Sequence, residues 1–286
     1  MKLSLNSGSL YPILGTQKTI DYAAKAGFDA IDFSFFETYF NELPKEKSYY
    51  TELKKYINEK GLIFNQAHAP APSSNISKEK SEELFNDIVF SIKSASYLGV
   101  KNIVVHPCQH LRYIDKDAPE MLFEYNMDFY KRLIPYAEEY DIRIAIENMW
   151  QYPGMISHST CSTPDEMIRY VDTLNNDSIV CCLDVGHAML VRQMPDDFIR
   201  ALGNKRLACL HIHDVDGTND SHTMPYLGII NWEKTMQSLA EIDYTGDLTY
   251  EVKSADFKNK PIQLLQDYVN LLSSTGRHLI SIYEGK

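Results

Sequence analysis

The stretch Ala208-Cys-Leu-His-Ile-His-Asp-Val-Asp-Gly-Thr-Asn-Asp-Ser-His222 begins as an apolar strand and then sets three histidines and three aspartates within a dozen residues. An apolar run of this length fits a strand buried on both faces, as in a parallel sheet. The same arrangement recurs along the chain. Short apolar or β-branched runs at 3–6, 28–33, 62–66, 102–106, 143–147, 179–184, 207–213 and 248–252 alternate with amphipathic stretches at 16–26, 49–60, 78–98, 119–140, 163–174, 195–202, 232–242 and 261–273. Gly27, Gly61, Gly99 and Gly246 precede four of the strands, where glycine is the favoured left-handed cap of a finished helix. Strands spaced about 25 to 40 residues apart with a helix in each gap form right-handed βαβ units and a parallel sheet. Eight such units close into an α/β fold, a single (β/α)8 TIM barrel. A doubly wound sheet would carry a Gly-rich phosphate turn after its first strand, and Asn6-Ser7-Gly8-Ser9 is no GxGxxG. No linker, repeat or low-complexity tract divides the chain, so one TIM-barrel domain over 1–286 is expected.

Composition narrows the function classes. The chain has 286 residues, 44% hydrophobic and 23% charged, with no apolar run approaching a membrane span. The amino-terminal Met1-Lys2-Leu3-Ser4-Leu5-Asn6 lacks a signal-peptide pattern, and five cysteines without a CxxC pair read as reduced thiols. A cytoplasmic protein with no membrane partner is expected. The formal charge of −11 opposes binding to nucleic acid, which relies on Lys and Arg meeting phosphates.

In a parallel barrel the site is built at the carboxyl ends of the strands. The third strand ends at His68, the fourth at His106, the fifth at Glu147-Asn148, the sixth at Asp184-Val-Gly-His187, the seventh at His211-Ile-His213-Asp214 and the eighth at Tyr250-Glu251. A lone residue of this kind is ordinarily a satisfied loop histidine or a helix cap. Six consecutive strand ends carrying ligand-type residues point instead to one site. Glu147 and Glu251 follow apolar strands, so their carboxylates must be paired, protonated or metal-bound. Imidazole with carboxylates suits Mn2+, Mg2+, Co2+ or Zn2+, and no cysteine is placed for a sulfur site. Of nine histidines, His110, His158 and His278 lie away from these ends.

The motifs His68-Ala-Pro, Val-Val-His106-Pro, Ile-Glu147-Asn148, Leu-Asp184-Val-Gly-His187, His211-Ile-His213-Asp214, Asp220-Ser-His222 and Tyr-Glu251 resemble the xylose-isomerase-like barrel superfamily over nearly the whole chain. That superfamily includes sugar isomerases, ketose 3-epimerases, inosose dehydratases and the endonuclease IV type of DNA repair enzyme. For members acting on free sugars, the resemblance implies one divalent ion on the positions matching Glu147, Asp184, His211 and Glu251. It further implies proton abstraction next to a carbonyl through an enediolate, with Glu147 and Glu251 as acid–base groups on opposite faces of the substrate. His187 would polarise a substrate oxygen, and His68, His106 and His213 would contact the sugar.

For the endonuclease IV type, the resemblance implies three zinc ions, drawing in His68, His106, His187, Asp220 and His222 as further ligands. All these residue types are present, yet no Lys or Arg occurs in 207–233 or 145–168 to grip a DNA backbone. Two departures bear on the sugar reading. Ketose 3-epimerases place an arginine soon after the histidine of the seventh strand, and none lies between His211 and Glu251; the second strand ends in Asp32 where relatives often have Glu. Only Arg112, Arg192 or Lys253 is placed to meet a phosphate, which favours a neutral or keto sugar. The resulting expectation is a divalent-metal-dependent sugar isomerase or epimerase on a small sugar or polyol, with possible pairing into a homo-oligomer. A metal-dependent lyase on a keto-sugar or inosose and a multinuclear zinc phosphodiesterase are the alternatives.

Overall fold

Eight short strands alternate with helices in the computed structural model, which describes residues 1–36, 40–151, 158–254 and 257–285. The strands are β1 (Leu3–Asn6), β2 (Ala30–Ser34), β3 (Ile63–His68), β4 (Asn102–Val105), β5 (Arg143–Glu147), β6 (Ile179–Asp184), β7 (Leu207–His211) and β8 (Leu248–Tyr250). Among the described residues the helices are α1 (Tyr11–Leu14), α2 (Thr16–Ala26), α3 (Lys47–Glu59), α4 (Lys78–Leu98), α5 (Ala118–Glu139), α6 (Pro164–Leu174), α7 (Val185–Leu190), α8 (Pro195–Arg206), α9 (Trp232–Glu241) and α10 (Ile262–Tyr283). Neighbouring strands are parallel in the order β7-β6-β5-β4-β3-β2-β1-β8. The last gap closes where the Ile212 N–H donates to Thr249 O at 2.8 Å and the Glu251 N–H donates to Ile212 O at 3.1 Å. The architecture is the single (β/α)8 barrel that the strand spacing predicts.

Three local features differ from the sequence reading. Helices α1 and α7 are too short, at 4 and 6 residues, to show a 3.6-residue period. Helix α10 continues past 273 to Tyr283, running unbroken through Gly276. A Cβ at Gly276 would stand 2.4 Å from Leu3 Cδ1, so the glycine lets α10 lie against β1.

The pleat sorts the core into two layers. Ile103, Ile144, Ile146, Cys181 and Leu183 face the helices, in the larger buried cluster. Val104, Ala145, Val180, Cys182 and Cys209 fill a smaller cluster inside the barrel. Below it, Ser4 Oγ donates to Asn65 Oδ1 at 2.7 Å and Asn65 Nδ2 to Thr249 Oγ1 at 3.3 Å, so polar interior groups satisfy one another. The five cysteines are free and buried, and no described helix is long and apolar enough to cross a membrane.

At the start of α6, Thr163 Oγ1 accepts the Glu166 N–H at 3.3 Å, and the Glu166 carboxylate reaches back to the N–H groups of Ser162 and Cys161. The Thr163 bond is half of a capping box, while the Glu166 carboxylate takes the two N–H groups before the cap and not that of Thr163 itself. Burial pushes the Glu166 carboxyl up to about 7, outweighing its hydrogen bonds to Tyr113 and the two backbone N–H groups. Ionisation is therefore harder in the folded chain than in the unfolded one, where the ordinary value is 4.5. The Glu166 contribution to stability should be constant below about 4.5, fall as pH rises from about 4.5 to about 7, and level off above. Denaturant midpoints across that window should decline less in Glu166→Gln than in the wild type; parallel curves would place the carboxyl in its ordinary range.

Candidate metal centre

Period two carries the interior stripe of each strand to the carboxyl mouth. Val104 is followed on its face by His106, Ala145 by Glu147, Cys182 by Asp184, Cys209 by His211 and Thr249 by Glu251. Register then sets them side by side, with Asp184 opposite His211 and Glu147 opposite Cys182. One donor atom each from Glu147, Asp184, His211 and Glu251 lies within 4.8 Å of the others. These are the four residues that the resemblance implies as ligands.

Glu147 is wholly buried at the middle of the group. Its Oε1 lies 3.1 Å from His211 Nδ1 and 3.6 Å from His187 Nδ1, and its Oε2 lies 3.0 Å from His106 Nε2 and 3.6 Å from His68 Nε2. Burial alone would raise its pKa, but the imidazoles of His211 and His106 hold the carboxyl well below the usual range. Asp184 is lowered in the same way, burial being outweighed by His187 and His213. His211 responds in reverse: burial disfavours the charged ring, yet surrounding negative groups, Glu251 and Glu147 among them, hold it well above the ordinary value. His106, 15% exposed at the rim, is lowered by burial.

A second group gathers beside the first. His187, His213, Asp220 and His222 each offer a donor atom within 4.8 Å of the others, and His68, Glu147 and His211 form a third set. His222 Nε2 lies 2.8 Å from Asp220 Oδ2, and that pairing, against the cost of burial, holds His222 up at about 8. Asp220 and His222 sit on the loop after β7, which Asp214 organises. The Asp214 carboxylate accepts N–H groups from Val215, Tyr226 and Ile230 at 3.0, 3.0 and 3.2 Å, and from Trp232 Nε1 at 2.8 Å. Gly228 touches this carboxylate so closely that a Cβ there would stand 2.2 Å from Asp214 Oδ1.

The histidine rings are set by backbone. His68 Nδ1 donates to Ala69 O at 2.7 Å, His187 Nδ1 to Asn148 O at 2.9 Å and His222 Nδ1 to Glu251 O at 2.7 Å. With Nδ1 donating, each ring turns Nε2 toward the mouth; that of His222 donates to Asp220 Oδ2 at 2.8 Å, and only in the neutral ring would this nitrogen offer a lone pair to a metal. His213, expected to contact substrate, is wholly buried with Nε2 2.9 and 3.0 Å from the two oxygens of Asp184, and it stacks on His222 at 4.0 Å. Gly186 makes room for it: a Cβ there would stand 2.0 Å from His213 Cε1. Asn148 Nδ2 donates to Asp184 O at 2.9 Å and Asn148 Oδ1 accepts the Asp184 N–H at 2.7 Å, tying the ends of β5 and β6 together.

The donors fit a divalent cation. Carboxylate and imidazole without sulfur is a set for Mn2+, Mg2+, Co2+ or Zn2+. Several buried atoms here have no hydrogen-bond partner: Glu147 Oε2 (with His106 3.0 Å away), His211 Nε2 and Asp220 Oδ1. Buried carboxylates this dense need positive charge, and protonated imidazole is what the side chains themselves supply.

Known proteins bear on this geometry. An uncharacterized protein of Methanocaldococcus jannaschii is 24% identical over 260 residues, covering 89% of this chain and 85% of that one. A probable endonuclease 4 of Metamycoplasma arthritidis is 28% identical over 144 residues, half of this chain and 49% of that relative. Among solved structures, the IolI protein with a bound zinc atom superposes with a TM-score of 0.80 at 20% identity, covering 99% of both chains. A D-tagatose 3-epimerase-like protein superposes with a TM-score of 0.74 at 24% identity, covering 96% of this chain and 99% of that one. These two likenesses are likenesses of fold. The family model described as "Xylose isomerase-like TIM barrel" matches residues 20–274, and the chain belongs to that family.

Proposed function

We propose that the protein is a divalent-metal-dependent sugar epimerase or isomerase that moves a proton on the carbon next to a carbonyl. The observation that carries this reading is the gathering of Glu147, Asp184, His211 and Glu251 within 4.8 Å at the mouth of the barrel. These four would hold the ion. When bound, it supplies Lewis-acid polarisation of the carbonyl and neighbouring hydroxyl oxygens of the substrate. Glu147 and Glu251 do the proton work. Glu147, kept ionised by His211 and His106, serves as a base on the buried side, and Glu251, 17% exposed, serves on the side that opens to solvent. One takes the proton and the other returns it, to the opposite face in an epimerase or through the adjacent carbon in an isomerase. His187 Nε2, 3.7 Å from Asp220 Oδ2, would hold a substrate oxygen, and His106 and His68 line the floor beside Glu147.

A cavity of about 190 Å³ is lined by Asn6, Ser9, Phe36, His222, Glu251 and Lys253, whose Nζ donates to Asp220 O. With the Lys253 ammonium engaged by Asp220 O, the amide, hydroxyl and aromatic face of Asn6, Ser9 and Phe36 suit a small polyol. The structural relative described as D-tagatose 3-epimerase-like supports the same substrate class.

The second and third donor sets favour one alternative, a multinuclear zinc phosphodiesterase using His68, His106, His187, Asp220 and His222. Elemental analysis of protein purified without chelator or added metal separates the two. About one Mn, Mg or Co per chain is expected; two or three zinc ions per chain would move phosphodiester hydrolysis to the front.

A further inference from the structure

Asp32 lies in the middle of β2 and is wholly buried. Its Oδ2 accepts Asn6 Nδ2 at 2.7 Å and Gln66 Nε2 at 3.4 Å, and it stands 3.5 Å from His211 Nε2. Asn6 and Gln66 are its register partners on β1 and β3, so the carboxylate is held from both sides. Neither Asp32 Oδ1 nor His211 Nε2 has a hydrogen-bond partner.

His211 turns its other nitrogen, Nδ1, to Glu147 Oε1 at 3.1 Å and Glu251 Oε2 at 3.4 Å. A ring that ligates through Nδ1 must carry its remaining proton on Nε2, and in a wholly buried position that N–H needs an acceptor. His68, His187 and His222 meet the equivalent need with a backbone carbonyl at Nδ1. His211 is turned the other way round, and a carboxylate faces its outward nitrogen. A carboxylate behind a ligating imidazole fixes the ring and raises its basicity.

We infer that Asp32 is a positioning residue of the metal centre: it holds His211 with the Nδ1 lone pair toward the ion and thereby sets divalent-ion affinity, without taking part in proton transfer. The inference rests on the proposed metal reading of Glu147, Asp184, His211 and Glu251. Asn6 extends the chain one step further by holding Asp32.

The test is calorimetric titration of chelator-treated, full-length protein with Co2+, together with the visible Co2+ absorption, for the wild type, Asp32→Asn and Asn6→Ala. Asp32→Asn should weaken Co2+ binding about 10- to 100-fold and alter the Co2+ bands, with turnover at saturating ion reduced far less. Asn6→Ala should weaken binding in the same direction by a smaller factor, which keeps the test open if Asp32→Asn does not fold. Wild-type affinity in both variants overturns the role of Asp32 while leaving the metal reading intact. A wild type that takes up no Co2+ overturns the metal reading and this inference together.

Discussion

Glu251→Gln should fold as the wild type does and lose turnover by about 10³-fold or more. The backbone hydrogen bond from Glu251 N–H to Ile212 O is independent of the side chain, and the carboxylate is partly exposed, so an amide of the same shape can be solvated there. What the amide cannot do is accept and return a proton, a contribution of about 10²- to 10⁴-fold in general acid–base catalysis. Loss of one anionic ligand adds to this, since Glu251 Oε2 lies 3.4 Å from His211 Nδ1 within the same donor group. A 10³-fold loss is about 4 kcal/mol of barrier. Turnover measured beside a thermal melt checks it; near-normal turnover in a folded variant would remove Glu251 from the proton transfer.

Glu147→Gln should also abolish turnover, and it carries a second penalty that Glu251→Gln lacks. Glu147 is wholly buried against four imidazoles, of which His68, His187 and His211 are held above the ordinary value and His106 below it. Removing one partner from a buried charged network leaves the others uncompensated, at a cost of about 3 to 5 kcal/mol. Urea unfolding of the metal-free variant should show that loss, and a stability unchanged from the wild type would mean that the imidazoles do not depend on Glu147 for their charge.

Much of this was legible in the sequence because the barrel writes two periods into the chain. The strand spacing located all eight strands, and the strand-end positions put Glu147, Asp184, His211 and Glu251 among the ligand-type residues of one rim, while the choice of these four as a set came from the family resemblance. Contacts that arise on closing the barrel left no local signal. Asp32 stood out only as an acidic residue at a strand end, and its approach to His211 exists because β2 and β7 face each other across the interior. The ring orientations of His68, His187 and His222 depend on carbonyls of Ala69, Asn148 and Glu251 whose direction no motif records. His213 lies two residues past His211, on the same side of the chain by alternation, but the strand has ended by then and the ring turns onto Asp184. The loop from Asp214 to Trp232 is rich in ligand types, yet the residue that folds it is Asp214, through four N–H groups that come together only in three dimensions.

The most direct test of the central claim is deuterium exchange into free ketoses and inososes incubated in D2O with the metal-loaded protein, followed by mass spectrometry and NMR. The account predicts one solvent deuteron on the carbon next to the carbonyl, in recovered substrate or its epimer or isomer, and none with Glu251→Gln. Loss of water from the substrate would turn the same proton abstraction into a lyase reaction. No exchange into any of them, with cleavage of an abasic-site duplex by the same preparation, would contradict the account.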